Sequence, residues 1–439
     1  MGSCGLEQPD KVRTQEHEAL QEIQEAVKVI LNGLGEDIRR EGLKKTPLRF
    51  AKALLEGTSG CQENPREIIE DALFPESELS SGQVNVQGLS FFSFCESCLL
   101  PFQVKCHVSY IPTNGAVVGL SKLSRVASAF AKRLQDPQRL ADEICSAVYR
   151  EIKSSGAGVI IQCLHIHIPN LESFINDPDH EGWVKRSFRS GYGVFEDEKS
   201  DTWIDFLRHL KLGGHKDNFL FSKNVPGLSW CPTRVSSPFG SKVEPDMIEA
   251  ASTILISLGE DPTRKELLET PKRFIGWLMN FRNLNLEMKL SCSLLEKGGS
   301  FTTNGHVDDL LLFEVNLPLW ATCEHHLLPF YGKVHIGYFS PEGCAPFRKS
   351  LFQSIVRFHG FKLQVQERLT SQIANTISCM VKDVIVFVEA EHMCMMCRGV
   401  KQIGSKTITE VGLGKFLTDR EAKNAAWDYI LTGENLHAF

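Results

Sequence analysis

Apolar positions along the chain fall first into a helical rhythm. Leu20, Ile23, Val27, Ile30, Leu31 and Leu34 recur at three- and four-residue steps, so they share one helix face, which Gly35 ends. Ile248, Ala251, Leu255 and Leu258 repeat that face ahead of Gly259. Thr46-Pro47 and Thr270-Pro271 each read as an N-cap followed by proline at the first helical position. The period then drops to two: Val104, Cys106, Val108 and Tyr110 alternate with more polar residues, as do Val334, Ile336 and Tyr338. A second helical set follows, Leu140, Ile144, Val148 and Ile152, echoed by Val365, Leu369, Ile373 and Ile377. Val384 to Val388 is apolar throughout and reads as a buried strand. Helices and hairpins in blocks, without regular β-α-β alternation, predict an α+β fold.

The pattern recurs because the sequence does. LGEDIRREGLKKTPLRF at 34–50 returns 224 residues later as LGEDPTRKELLETPKRF at 258–274. FCESCLLPFQVKCHVSYIP at 94–112 returns 228 residues later as TCEHHLLPFYGKVHIGYFS at 322–340, and CLHIHIP at 163–169 answers EHMCMMC at 391–397. This is a tandem duplication of a domain-sized unit. The expected layout is a flexible N-terminus over 1–16, a first domain over 17–195, a linker over 196–243 and a second domain over 244–439. EDEKSD and the Pro-, Ser- and Gly-rich VPGLSWCPTRVSSPFGSK mark the linker as surface chain, with Trp203, Phe206 and Leu207 predicting a short docked helix before it.

Composition narrows the function classes. A chain of 439 residues, 42% hydrophobic and 23% charged, has room for two or three domains with full cores and the balance of a soluble globular protein. A formal net charge of −6 argues against nucleic-acid binding through bulk positive charge, so a polyanionic ligand must meet a local basic cluster. No apolar run approaches membrane-spanning length, and no membrane partner is expected. The first residues lack the apolar core of a signal peptide, and their acidic side chains argue against a transit peptide. Gly2 with Cys4 hints at acylation, but Leu6 stands where that signal wants Ser or Thr. The 14 cysteines are irregularly spaced, which fits a reducing compartment, and the expectation is a cytoplasmic protein.

The candidate chemistry centres on Cys323-Glu324-His325-His326. A thiolate and an imidazole three positions apart can grip one zinc ion from a single tight loop. A third ligand must come from elsewhere, and Cys394, at the end of the apolar strand, is the best candidate. Cys323, His326 and Cys394 would leave the fourth position to water, the arrangement of a catalytic rather than a structural zinc. Cys397 is a rival ligand, since Cys394 and Cys397 form a C-x-x-C pair that would close the site. His325 and His392 each neighbour a ligand and suit proton transfer near neutral pH.

Three separated segments, TCEHHLLPF, QVQERLTSQI (364–373) and HMCMMCRGV, together resemble GTP cyclohydrolase I, and the duplicated chain resembles the plant-type, two-domain form. The resemblance implies tandem T-folds, antiparallel sheets backed by helices, whose copies assemble side by side into a homo-oligomer. It implies hydrolytic opening of the guanine imidazole ring of GTP, loss of formate and closure to dihydroneopterin triphosphate, the entry to pterins and folate. Carried onto this sequence, it makes Cys323, His326 and Cys394 the zinc ligands, His325 and His392 proton shuttles, and Gln366 and Glu367 the guanine contacts. An ionised carboxylate is the right acceptor for that edge of the base.

The triphosphate residues are divided between the repeats. The second lacks the family's G-L-S-K-x-x-R and has Gly276 for a phosphate-binding lysine, though Arg273 and Arg398 remain. The first keeps Ser121, Lys122 and Arg125 in that motif, with Arg49 and Lys52 from the preceding helix. Such pairs taken alone are ordinary solvated charges; together they are the cations of a triphosphate clamp. The first repeat has lost the chemistry in turn. Ser97 replaces the shuttle histidine, Gln138 the guanine-binding glutamate and Leu171 the arginine matched by Arg398. The favoured reading is therefore an enzyme whose sites are shared between copies; the alternative is a non-catalytic nucleotide- or pterin-binding homologue with a regulatory role. A zinc-dependent nucleobase deaminase lacks its H-x-E and P-C-x-x-C pair here. The first repeat also has Cys95, Cys98 and His167 where the second has its ligands, a possible second metal site that His165 or Cys106 could complete.

Overall fold

A computed structural model describes residues 9–70, 72–75, 82–113, 116–167, 182–215, 221, 230–233, 244–281, 309–341, 346–398 and 402–432. Leu171, like Gly2, Cys4 and Leu6, lies outside them. The chain divides into two compact units that do not follow the repeat boundaries. The first holds Met1–Val27, Ala51–Trp277 and Met396–Ile403; the second holds Lys28–Phe50, Leu278–Met395 and Gly404–Phe439. Each unit thus contains the sheet of one repeat and a helical segment from the front of the other.

In the first unit, β1 (Leu73–Pro75) pairs with β4 (Ala116–Val118), beside a five-stranded sheet. That sheet is built from β2 (Val84–Cys95), β3 (Pro101–Ile111), β5 (Leu134–Gln135), β6 (Gly156–Ile166) and β7 (Trp183–Gly193), in the order β5-β2-β3-β6-β7. The second unit repeats it with β8 (Asp309–Cys323), β9 (Leu328–Pro341), β10 (Leu363–Gln364), β11 (Val384–His392) and β12 (Lys406–Leu413), in the order β10-β8-β9-β11-β12. All pairings in both sheets are antiparallel except the short parallel edges β5–β2 and β10–β8. These are two T-fold sheets.

The helices follow from the local signals. The first helix, α1 (Pro9–Gly33), buries Ile23, Val27, Ile30 and Leu31 and gives way to Gly35 at φ 77°. It begins inside the segment expected to be flexible up to residue 16, and proline at the first position followed by Asp, Lys, Gln and Glu suits helix. Next come α2 (Thr46–Gly57), α3 (Pro65–Glu70) and α4 (Leu120–Ala131). In α5 (Pro137–Ile152) the Asp136 carboxylate accepts from the Gln138 and Arg139 amides, and Leu140, Ile144, Val148 and Ile152 are buried. The stretch expected to be surface linker contributes α6 (Asp201–Leu212), whose Trp203, Phe206 and Leu210 pack with Ile160 and Phe195. It also returns at Trp230 to Thr233, where Cys231 is buried. Trp203, Phe206 and Leu207 predict that docked helix, whereas the Pro-, Ser- and Gly-rich sequence around Cys231 reads as surface chain and hides the return.

The remaining helices are α7 (Pro245–Ser257), α8 (Thr270–Leu278), α9 (Lys349–Gly360), α10 (Gln366–Ser378), α11 (Met393–Met396), α12 (Lys415–Thr418) and α13 (Arg420–Thr432). Strand β11 explains the unbroken apolar run: Val384, Val386 and Val388 face the core with Leu369 and Ile373 of α10. Ile385 and Phe387 face Phe416, Ala422 and Ala426 on the other side. Both faces are covered, so alternation is lost. No described helix is long and apolar enough to cross a membrane.

Candidate metal centre and its surroundings

A tight turn joins β8 to β9 and presents the candidate ligands. His326 and Leu327 donate their amides to the Cys323 carbonyl at 3.2 and 2.9 Å, and Leu327 takes φ 50°, which folds the chain back within four residues. Glu324 pins the turn from below. Its amide donates to the Gln364 carbonyl at 3.0 Å, where β10 pairs alongside Cys323. Its carboxylate accepts from Arg368 and Arg40, each at 2.5 Å, and its carbonyl accepts from the Thr46 hydroxyl at 2.7 Å. A Cβ at Gly42 would lie 2.0 Å from Glu324 Oε1, so only glycine admits this approach. Thr46 was expected to cap α2, but its hydroxyl donates to a buried carbonyl, so it anchors the turn. Against the upward push of burial, Arg368 and Arg40 hold the Glu324 carboxyl below its usual range.

On that turn the ligand atoms of Cys323, His326 and Cys394 all lie within 4.8 Å of one another, with Cys323 Sγ 3.7 Å from His326 Nδ1. Cys323 is buried and Cys394, from α11 just past β11, is half-buried. Two thiols and an imidazole converging from two elements fit a borderline-soft divalent ion, and three ligands leave one position open. Hydrogen bonding from Cys394, and from His325, His326 and His392, pushes the Cys323 thiol far below its ordinary range. Cys397 lies outside the cluster, a buried thiol pushed up to about 12 by burial.

Two more histidines border the cluster. His325 is raised above the usual imidazole range, mainly by its hydrogen bond to Cys323; burial and the charge of Arg49 act the other way. His392 lies flat on Phe330, with ring centroids 4.5 Å apart, and its Nε2 donates to Gln366 Oε1 at 2.7 Å. Gln366, expected to touch the base, makes its hydrogen bonds within the protein. Its amide is buried and donates to the Val388 and Thr407 carbonyls, so the side chain holds His392 in place. Glu367, next along α10, is exposed.

The expected triphosphate cations are distributed as follows. Arg49 belongs to the second unit, whereas Lys52, Ser121, Lys122, Arg125, Arg273 and Arg398 belong to the first. Ser121, Arg125 and Lys52 are exposed, and Arg273 donates to the Thr233 carbonyl at 3.5 Å. Residues missed in the sequence are Arg40, Arg368 and Thr46. Arg264, Arg139 and Thr270 treat Glu96 of the first unit in the same way, at 3.5, 2.7 and 2.6 Å.

The second cluster is also altered. Cys95, Cys98, His165 and Cys231 bring their ligand atoms within 4.8 Å of one another. The histidine is His165, not His167, because β6 ends at Ile166 and only His165 is held in the sheet, opposite Phe102. Cys106, the other residue considered, is a buried sheet thiol outside the group.

Comparison with known proteins agrees with this geometry. The sequence profile of GTP cyclohydrolase I matches residues 23–170 and 247–431. The chain is 52% identical to GTP cyclohydrolase 1 of Solanum lycopersicum over 91% of its own length and 90% of that protein's. It is 50% identical to GTP cyclohydrolase 1 of Arabidopsis thaliana over 93% and 90%. GTP cyclohydrolase 1 of Dictyostelium discoideum is 45% identical over 34% of this chain and 63% of its own.

Proposed function

Since the chain belongs to the GTP cyclohydrolase I family, we propose that it is a GTP cyclohydrolase I whose chemistry is done at the second repeat's cluster. The reaction is hydrolytic opening of the guanine imidazole ring, release of formate and reclosure to 7,8-dihydroneopterin triphosphate, a first step toward pterins and folate in the cytoplasm. The observation that carries the reading is the convergence of Cys323, His326 and Cys394, with His325 and His392 beside them. Zinc is the metal that this donor set favours, and it would supply the Lewis acidity that makes water nucleophilic near neutral pH.

The chain's own residues do the rest. His325 and His392 move protons to and from the imidazole nitrogens of the opening ring, and Gln366 fixes the tautomer of His392 by accepting from its Nε2. Glu367 accepts from the N–H edge of guanine. Arg49, Lys52, Ser121, Lys122, Arg125, Arg273 and Arg398 supply the cations and hydroxyl for the triphosphate, in a homo-oligomeric enzyme.

The purified chain given GTP should release formate and a fluorescent pterin, and a chelator should stop both. Lys122→Ala combined with Arg125→Ala should raise KM for GTP by roughly tenfold or more, the scale of two lost charge-assisted hydrogen bonds. An unchanged KM would remove the first repeat from triphosphate recognition, and absence of formate from the wild type would end the cyclohydrolase reading.

A further inference from the structure

The first unit carries a group of side chains that the proposed reaction does not use. Cys95 ends β2, Cys98 closes the turn after it, His165 sits near the end of β6, and Cys231 comes from the stretch after α6. Three of the four are fully buried and Cys231 is 8% exposed. We propose that these residues form a closed Cys3His zinc site, which has a structural role and no part in turnover.

The geometry is that of a metal site. A tetrahedral zinc with Zn–S near 2.3 Å and Zn–N near 2.1 Å sets its ligand atoms roughly 3.6–3.8 Å apart. His165 Nε2 lies 3.3 Å from Cys98 Sγ and 3.9 Å from Cys231 Sγ. The sulfurs of Cys95, Cys98 and Cys231 and the His165 ring nitrogen all lie within 4.8 Å of one another, so the four converge on one point. The imidazole is already oriented as a ligand. Its Nδ1 donates to the Ile166 carbonyl at 2.7 Å, which in the neutral ring leaves the Nε2 lone pair directed at the sulfurs. Trp230 covers the group, edge-on to His165 at 5.1 Å and to Phe102 at 4.9 Å.

Four protein ligands leave no position for water or substrate, and Ser97 stands where His325 stands in the other repeat. The fourth ligand has no counterpart in the second repeat, since it comes from chain that lies between the two. Zinc here would tie that chain to the T-fold sheet of the first unit. The rival occupant of such a cluster is a disulfide between two of the three thiols, which would leave the third sulfur and the imidazole without a shared partner.

Metal analysis of the purified full-length chain tests the proposal. The wild type should carry about two zinc ions, Cys394→Ala about one, and Cys394→Ala with Cys231→Ser well below one after dialysis against a chelator that leaves Cys394→Ala loaded, because the closed site has lost one of its three thiolates. Cobalt loaded into Cys394→Ala should give the intense absorption of a tetrahedral ion with three thiolates. A metal-free Cys394→Ala protein would overturn the proposal, as would zinc retained at wild-type level in Cys231→Ser. Mass spectrometry of the denatured, unreduced chain closes the remaining route: a disulfide among Cys95, Cys98 and Cys231 would also overturn it, and three free thiols would support it.

Discussion

The turns Cys95–Leu100 and Cys323–Leu328 share one backbone. In each, the residue after the fourth position is a leucine at positive φ, 58° for Leu99 and 50° for Leu327, and each donates its amide to the leading cysteine. In each, a glutamate side chain is gripped by one arginine of its own repeat and one of the other. The strand histidines match as well: His165 lies opposite Phe102 in its sheet, and His392 lies opposite Phe330. What differs is where that histidine turns. His392 is tied through Nε2 to Gln366, whereas the first unit has Pro137 at the start of the equivalent helix and no amide to offer. His165 turns instead toward Cys98, and Cys231 arrives to meet it. One fold thus supports a three-residue cluster bordered by two histidines and a four-residue cluster whose turn has Ser97 in place of His325. The scaffold fixes where the groups stand, and on the reading proposed above one or two side chains decide whether the centre reacts or only holds.

The largest break in that comparison is His325→Ala. It makes the second turn resemble the first, where Ser97 stands, and should lower kcat by about 10²–10⁴, the usual share of a general acid–base, with the metal retained. Loss of metal along with activity would show that His325 is a ligand and that the cluster is read wrongly.

A smaller effect is expected from Gln366→Ala. Without its carbonyl the His392 ring loses the partner that fixes its orientation, as His165 does in the first unit. A loss of roughly 10–100-fold in kcat is expected, the cost of removing a partner that orients a functional imidazole. KM for GTP should barely move, because the amide is engaged within the protein. A large rise in KM with kcat preserved would return Gln366 to the guanine-contact role expected from the sequence.

Much of this is legible in the chain alone. The duplication and the pair of cysteine turns are evident in spacing and repeat, the T-folds follow from the resemblance to GTP cyclohydrolase I, and Cys323, His326 and Cys394, which the spacing singles out, do come together. The choice between His165 and His167 is not, because residues two apart share a strand face and only the end of β6 at Ile166 separates them. Cys231 is hidden for another reason. Its neighbours are Pro, Ser and Gly, and nothing local reports that a sheet 66 residues earlier in the chain supplies His165 as its partner. Thr46 and Thr270 mislead because a threonine before proline signals a cap. The acceptor that claims the hydroxyl belongs to the other repeat, and local pattern cannot reveal it.

Those threonines give the smallest and most discriminating test. Thr46 donates to the Glu324 carbonyl at 2.7 Å, and Thr270 donates to the Glu96 carbonyl at 2.6 Å, so the two bonds are near copies. Both hydroxyls are buried, and valine keeps their shape. Each Thr→Val change strands one buried carbonyl and should cost about 1–2 kcal/mol, seen as a fall of a few degrees in Tm. The stability losses should therefore be alike, but the functional losses should not. Thr46 steadies the turn that carries Cys323, His325 and His326, so Thr46→Val should lower kcat by a few fold as the ligand and shuttle drift together. Thr270 steadies the turn of the closed cluster, and Thr270→Val should leave kcat where it was at temperatures well below its Tm. Equal losses of kcat in the two variants would mean that both turns serve turnover, and the division between a reacting centre and a holding one would fail.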